Sequence, residues 1–230
     1  PMLKAGVEAQ ARFGTAEHPY HVSGPDGVHP DWAGHVIMAY AFLHTLGLDG
    51  NIGTLTVDLA AQKAEASAGH QVDSFAGGIL TVTSTRYPFC ATGETNVDSS
   101  IRSGMELVPF NQELNRFLLV VKNGTATNYN VTWGTETKTY SAEQLAAGVN
   151  LAADFAVNPF SEAFDRVDQA VAAKQAYETK QIKDIFHGPR GQADMEKAVA
   201  ETEAERAPLA QAVADAVKPV TYTVKIEPAL

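Results

Sequence analysis

Arg116-Phe117-Leu118-Leu119-Val120-Val121-Lys122, followed by the turn pair Asn123-Gly124, reads as a β-strand that alternates at its ends around a solid apolar centre. The stretches on either side share its texture. Residues 129–133, 136–140 and 149–151 continue the series downstream, and 55–59 and 79–85 precede it with period-two alternation. Turn signals separate them at Ala76-Gly77-Gly78, Asn123-Gly124 and Trp133-Gly134. This spacing predicts an antiparallel β-sandwich of about six to eight strands. Ser141, with Gln144 three residues on, predicts a capping box on a single helical turn within it. Residues 220–226 alternate again and are expected to return to the sandwich as a strand.

Helical patterns flank the strands. Residues 161–186 carry Phe164, Val167, Val171, Ile182 and Ile185, and Gly188-Pro189 stops them. Residues 193–217 form a second pattern, which Pro208 is expected to kink or split. The two are expected to pair as a helical hairpin. Near the start, residues 3–13 predict a helix with Leu3, Val7 and Phe13 on its inner side and Gly14 as its stop. Another helix starts at Asp31, a capping residue, and ends at Gly47. Its residues 36–46 are apolar nearly all round, so its surface needs cover, and dimerisation or pairing with another segment is expected. The fold class is therefore α+β. The expected units are residues 1–50, then 51–157 together with 219–228 as the sandwich, then 158–218 as the hairpin.

Pro25-Asp26-Gly27-Val28-His29-Pro30, followed after three residues by Gly34-His35, is the stretch that carries chemistry. An Asp three residues before a His brings carboxylate to imidazole if one tight turn holds both. The carboxylate accepts from Nδ1–H, fixes the tautomer and leaves Nε2 free to take a proton from a nucleophile. Gly27 relaxes the backbone between the two, and Pro30 fixes the exit before a helix. Asp26 and His29 are the candidate catalytic residues. His35 lies on the following helix, where packing or capping suits it better.

This string resembles the last motif block of the SGNH/GDSL-type serine esterases, in which the matching Asp and His complete a Ser-His-Asp triad. The resemblance is strong over residues 22–48. More loosely, the whole order is similar to bacterial SGNH-type esterases that carry a β-sandwich and an α-hairpin after the catalytic block. It implies a remnant of an α/β layer at the N-terminal end and hydrolysis of short acyl or carbohydrate esters, with His29 as base and Asp26 as its orienter. It implies no cofactor. The family's Gly-Asp-Ser nucleophile turn and the blocks supplying its oxyanion hole lie upstream of the Asp-x-x-His block, and residues 1–25 contain neither. The chain is thus expected to be the C-terminal portion of a longer esterase, or one half of a divided one. Its partners would be a small-molecule ester and a complementing N-terminal half or a second copy. Ser23 and Ser99-Ser100 are the in-chain serines that could stand in as nucleophile. The alternative is a non-catalytic β-sandwich module that binds a glycan or a partner chain.

Composition bounds the rest. At 230 residues, with 45% hydrophobic and 19% charged, the chain can bury a real core. Its net charge of −10, from 17 basic against 27 acidic residues, argues against nucleic acid as a partner. No apolar run reaches the roughly 20 residues of a membrane span. The compartment is not assigned, although the resemblance admits a secreted or periplasmic one. The single Cys90 reads as a buried structural thiol, and no His or Cys spacing suggests a metal. His18 and His21 read as surface or rim residues. Asn111, Glu113, Asn115 and Arg116 read as a polar loop. Arg86, Tyr87 and Trp133 would suit a sugar-binding face, although single aromatics in a sandwich are more often core.

Overall fold

The computed structural model describes residues 2–229. In chain order it runs α1 (Met2–Phe13), α2 (Trp32–Thr45), β1 (Asn51–Asp58), β2 (Lys63–Ala66), β3 (His70–Ala76), β4 (Ile79–Ser84), α3 (Ile101–Met105), α4 (Phe110–Glu113), β5 (Arg116–Lys122) and β6 (Asn128–Trp133). It continues with β7 (Glu136–Ser141), α5 (Ala142–Ala147), β8 (Val149–Asn150), α6 (Leu151–Asp154), α7 (Ser161–Lys180), α8 (Pro189–Ala193), α9 (Met195–Ala216) and β9 (Val220–Pro228). The fold is α+β, as the two textures of the sequence predict.

One sheet has the order β2-β1-β5-β8 and the other β3-β4-β9-β6-β7. The second is antiparallel throughout, with β9 inserted between β4 and β6. The first corrects the expectation of an all-antiparallel sandwich, because β1 and β5 run parallel, with Leu55 opposite Leu119 and Val57 opposite Val121. Alternation reports which face a residue takes and says nothing of strand direction. The parallel pair is joined by a long crossover through β2, β3, β4, α3 and α4. The expected series also lacked β2 and β3. Their Lys63-Ala64-Glu65-Ala66 and Gln71-Val72-Asp73-Ser74 segments are poor in strand formers and lie at sheet edges.

The solid centre of β5 has a simple cause. Phe117, Leu119 and Val121 point into the core, and Leu118 and Val120 on the opposite face are half-buried, so both faces are apolar. The capping box at Ser141 and Gln144 that starts α5 is present as expected. Between the sheets, Trp133 is fully buried, its ring centroid 5.8 Å from Phe117 and Phe155 and 6.0 Å from Phe160 and Tyr222. Trp133 is therefore core and cannot serve a sugar-binding face. Tyr87 packs its ring on Phe160 and donates its hydroxyl to the Lys218 carbonyl.

Of the expected polar loop, Asn111 and Glu113 lie on α4 and Arg116 opens β5, and its role is structural. Buried Asn115 donates from Nδ2 to the Phe89 carbonyl and to Asn111 Oδ1, and its Oδ1 accepts from Phe89 N–H. Asn150 donates to the carbonyls of Asn111 and Asn115 and accepts from Phe117 N–H. These amides join α4 and the segment around Phe89 to β5 and β8. On the far side, Phe110 and Leu114 pack with Val36 of α2. At the α2–α3 crossing, a Cβ on Gly104 would meet Ala33 and Val36.

In α1 the expected inner side holds for Phe13, which packs on Tyr20, and fails for Leu3 and Val7. Leu3 and Val7 are 85% and 64% exposed, whereas Ala5 and Ala9 are buried against Tyr20, Val22, Ala33 and Ile37. The small residues permit close helix approach and leave Leu3 and Val7 outside. The hairpin is present, α7 against α9, and the first helix continues through Gln181–Phe186 in wider turns. Pro208 does not split α9. The turns before it are pinned by Thr202, whose hydroxyl accepts from Gln181 and whose carbonyl accepts from Tyr177. Those after it end at buried Ala216, whose carbonyl accepts from Arg166.

Leu119→Ala is expected to lower the unfolding free energy by about 2–5 kcal/mol. Leu3→Ala, at an exposed site, is expected to change it by about 0.5 kcal/mol or less. Urea denaturation of the two variants checks both values, and an equal loss would contradict the outward placement of Leu3.

Candidate functional site

Asp26 and His29 meet on one turn, as their spacing predicts. Asp26 Oδ1 accepts from the backbone N–H groups of Val28 and His29, each at 2.9 Å. Oδ2 faces His29 Nδ1 at 2.6 Å. The local chain is sufficient to build this arrangement, since an Asp that accepts from N–H groups two and three residues on closes its own turn. The contact makes Nδ1–H the donor, which leaves Nε2 with its lone pair in the neutral ring. The His29 side chain is 85% exposed and that of Asp26 53%. The ring N–H and the two backbone N–H groups hold the Asp26 carboxyl well below the usual carboxylate range.

Two glycines seat this turn on the fold. Gly24 has φ +77°, and a Cβ there would collide with the His29 carbonyl oxygen. Gly34 lets the first turn of α2 lie directly on the Val22 carbonyl and Pro30. Asp31 caps α2 by accepting from Trp32 N–H. The imidazole is thus carried at the entrance to a helix that buries Ala33, Gly34, Val36 and Ile37. His35 donates from Nδ1–H to the Asp31 carbonyl, an i to i−4 contact on an exposed face, in line with its structural reading.

Among the described residues, Asp26 is the hydrogen-bond partner of the His29 ring. Neither in-chain serine candidate meets it. Ser100 is buried and donates to the Glu94 carbonyl at 2.6 Å. Ser23 is half-buried on the loop before Asp26 and Ser99 is exposed, and neither hydroxyl bonds to the ring.

No protein-family profile matches the chain, and no curated protein matches it. A solved structure shares its fold. It is BT4096, described as a gut microbial diltiazem-metabolizing enzyme, superposed with a TM-score of 0.68 at 19% sequence identity. The alignment covers 100% of this chain and 61% of that one, so the chain spans about three fifths of the length of the enzyme it matches.

A Ser–His contact that the sequence does not signal lies in the core. His70 on β3 stands opposite Ser84 on β4 in register. Its Nε2 lies 2.9 Å from the Ile52 carbonyl and its Nδ1 2.7 Å from Ser84 Oγ. The carbonyl requires Nε2–H as donor, so the serine hydroxyl donates to Nδ1. Ser84 is fully buried, and no carboxylate stands behind the ring. Burial lowers the His70 pKa. This pair is a satisfied core network.

Cys90 is buried beside Asn158, and burial pushes its thiol up to about 11, so it stays protonated at neutral pH. Glu113 accepts from the Tyr40 hydroxyl and stands 2.6 Å from His44 Nε2, tying the end of α2 to α4. Burial and the Glu113 carboxylate hold the Tyr40 phenol up at about 12.

The depressed Asp26 value sets a sign. Its ionised form is favoured in the fold, so the turn's contribution is full above the ordinary carboxylate range and is lost only as pH falls through the lower folded value. Carboxyl NMR titration is expected to find Asp26 still ionised at pH 3.8, the ordinary midpoint. His29→Ala should move the midpoint up towards that value. A midpoint insensitive to His29→Ala would contradict the ring contact.

Proposed function

We propose that this chain supplies the general base and its orienting carboxylate to a carboxylic ester hydrolase of the SGNH/GDSL serine type, acting on short acyl or carbohydrate esters. The observation that carries the reading is the 2.6 Å contact between Asp26 and His29, on a turn that leaves the imidazole open to approach. In this mechanism His29 Nε2 takes the serine proton as Oγ attacks the ester carbonyl carbon. It returns that proton to the leaving alcohol as the tetrahedral intermediate collapses. It then takes a proton from the water that attacks the acyl-enzyme, and passes it back to the serine. Asp26 remains ionised throughout and stabilises the imidazolium.

The serine and the oxyanion-hole donors come from polypeptide outside these 230 residues, because no serine hydroxyl among the described residues bonds to His29. Delivery from another chain is chemically sufficient, since catalysis depends on geometry and not on covalent connection. The exposed apolar side chains of Leu3, Val7, Phe42, Leu46 and Leu48 support docking of that complementing half, or of a second copy. The fold shared with a diltiazem-metabolizing enzyme favours catalysis over a scaffold role. In this reading residues 1–50 end a hydrolase domain, 51–157 with 219–228 form an accessory sandwich, and 158–218 form its hairpin. The rival reading, a non-catalytic β-sandwich module, draws on the same missing serine contact.

Hydrolysis of p-nitrophenyl acetate separates the two. The chain alone is expected to match its His29→Ala variant. Addition of a polypeptide carrying a Gly-Asp-Ser turn is expected to produce turnover that His29→Ala reduces by about 10²- to 10⁴-fold, with a comparable loss in Asp26→Asn. Turnover indifferent to His29, or none under any complementation, would leave the module.

A further inference from the structure

A cleft opens between the start of α2, the segment around Gly93 and Ser99, and α7. One wall is Trp32, an aromatic ring that remains 56% exposed. Trp32 follows His29 by three residues, so their Cα atoms are at most about 11 Å apart. The floor is apolar, from Ile101, Val171 and Ala172. Asp168 lines the same cleft from α7, while no Lys or Arg lines it. Among the described residues, Asp168 makes no ion pair and no side-chain hydrogen bond.

We propose that this cleft binds the alcohol portion of the ester and selects an organic cation, an apolar or aromatic body bearing a protonated or quaternary amine. The identification of the bound group as the alcohol portion rests on the ester-hydrolase reading; the cation selectivity stands on the cleft itself. Three observations converge on it. A Trp face attracts a cation through its ring quadrupole and does so better than Tyr or Phe. The carboxylate of Asp168 is the single formal charge lining the cleft, so complementarity requires a positive ligand. The chain's net charge of −10 draws cations towards the surface and repels anions. The apolar floor supplies contact area that a small inorganic cation would not use, which fixes the ligand as organic. With the ester carbonyl at His29, a leaving alcohol that extends across Trp32 would bring its ammonium group towards Asp168.

Benzyltrimethylammonium is the probe, titrated into the full chain at low salt, with binding read by calorimetry and by tryptophan emission. The chain has two tryptophans, and Trp133 is fully buried, so quenching by the probe reports Trp32. Saturable binding with quenched emission is expected. Asp168→Asn should weaken it roughly threefold to tenfold, and Trp32→Ala at least as much. Both positions are exposed, so these variants are expected to fold. Benzyl alcohol should bind more weakly than the cation, and benzoate more weakly still. Equal binding of benzyl alcohol, or no response to Asp168→Asn, would overturn the cation selectivity. The same His29→Ala variant keeps the two readings apart, because it should bind the probe as the parent does. Probe binding with no His29-dependent turnover in the complemented assay defeats the hydrolase reading alone. His29-dependent turnover without probe binding defeats the cleft assignment alone.

Discussion

Two side-chain amides, buried Asn115 and half-buried Asn150, hold the two halves of this molecule in register. Each satisfies several backbone groups that would otherwise be stranded where β5 and β8 meet the helical layer. Buried, unpaired polar groups are costly, so a one-residue slip of α4 against β5 would break several bonds together. Phe110 and Leu114 then carry the same rigid unit onto α2. The orientation of α2, and hence of the imidazole just before it, follows from amides that never approach the candidate site.

The reach of the sequence reading follows the range of the interactions involved. The Asp26–His29 turn was legible because every atom that builds it lies within a few residues, with backbone N–H groups and a carboxylate closing on themselves. The strand 116–122 and the cap at Ser141 were legible for the same reason. The parallel pairing of β1 with β5 was not, because direction is set by a connection far longer than any pattern window. The outward turn of Leu3 and Val7 was hidden too. A helix with small residues on one face and large ones on the other offers two plausible interiors, and close packing on Tyr20 and Ala33 selected the small one.

His29 and His70 both have oriented tautomers, and solvent separates their roles. His70 has a hydroxyl on one nitrogen and a carbonyl on the other, and its ring stacks on Phe117 at 4.9 Å. Both lone-pair and donor capacity are consumed, so it contributes rigidity. His29 spends only Nδ1 and keeps the other nitrogen in the open. Spacing in sequence cannot make this distinction, since β3 and β4 bring Ser84 and His70 together by register alone. The cleft at Trp32 was likewise out of sight, because Asp168 reaches it from a helix more than a hundred residues downstream.

The central place of β9 in the five-stranded sheet carries a consequence for biosynthesis. Until its nine residues emerge from the ribosome, β3-β4 and β6-β7 are separate hairpins, each with a bare edge and half of the apolar surface that Tyr222, Val224 and Ile226 will cover. Translation therefore passes through a long interval in which the nascent chain presents two unfinished edges to chaperones and to its neighbours on the same messenger, and completion comes in one late, cooperative zipping event.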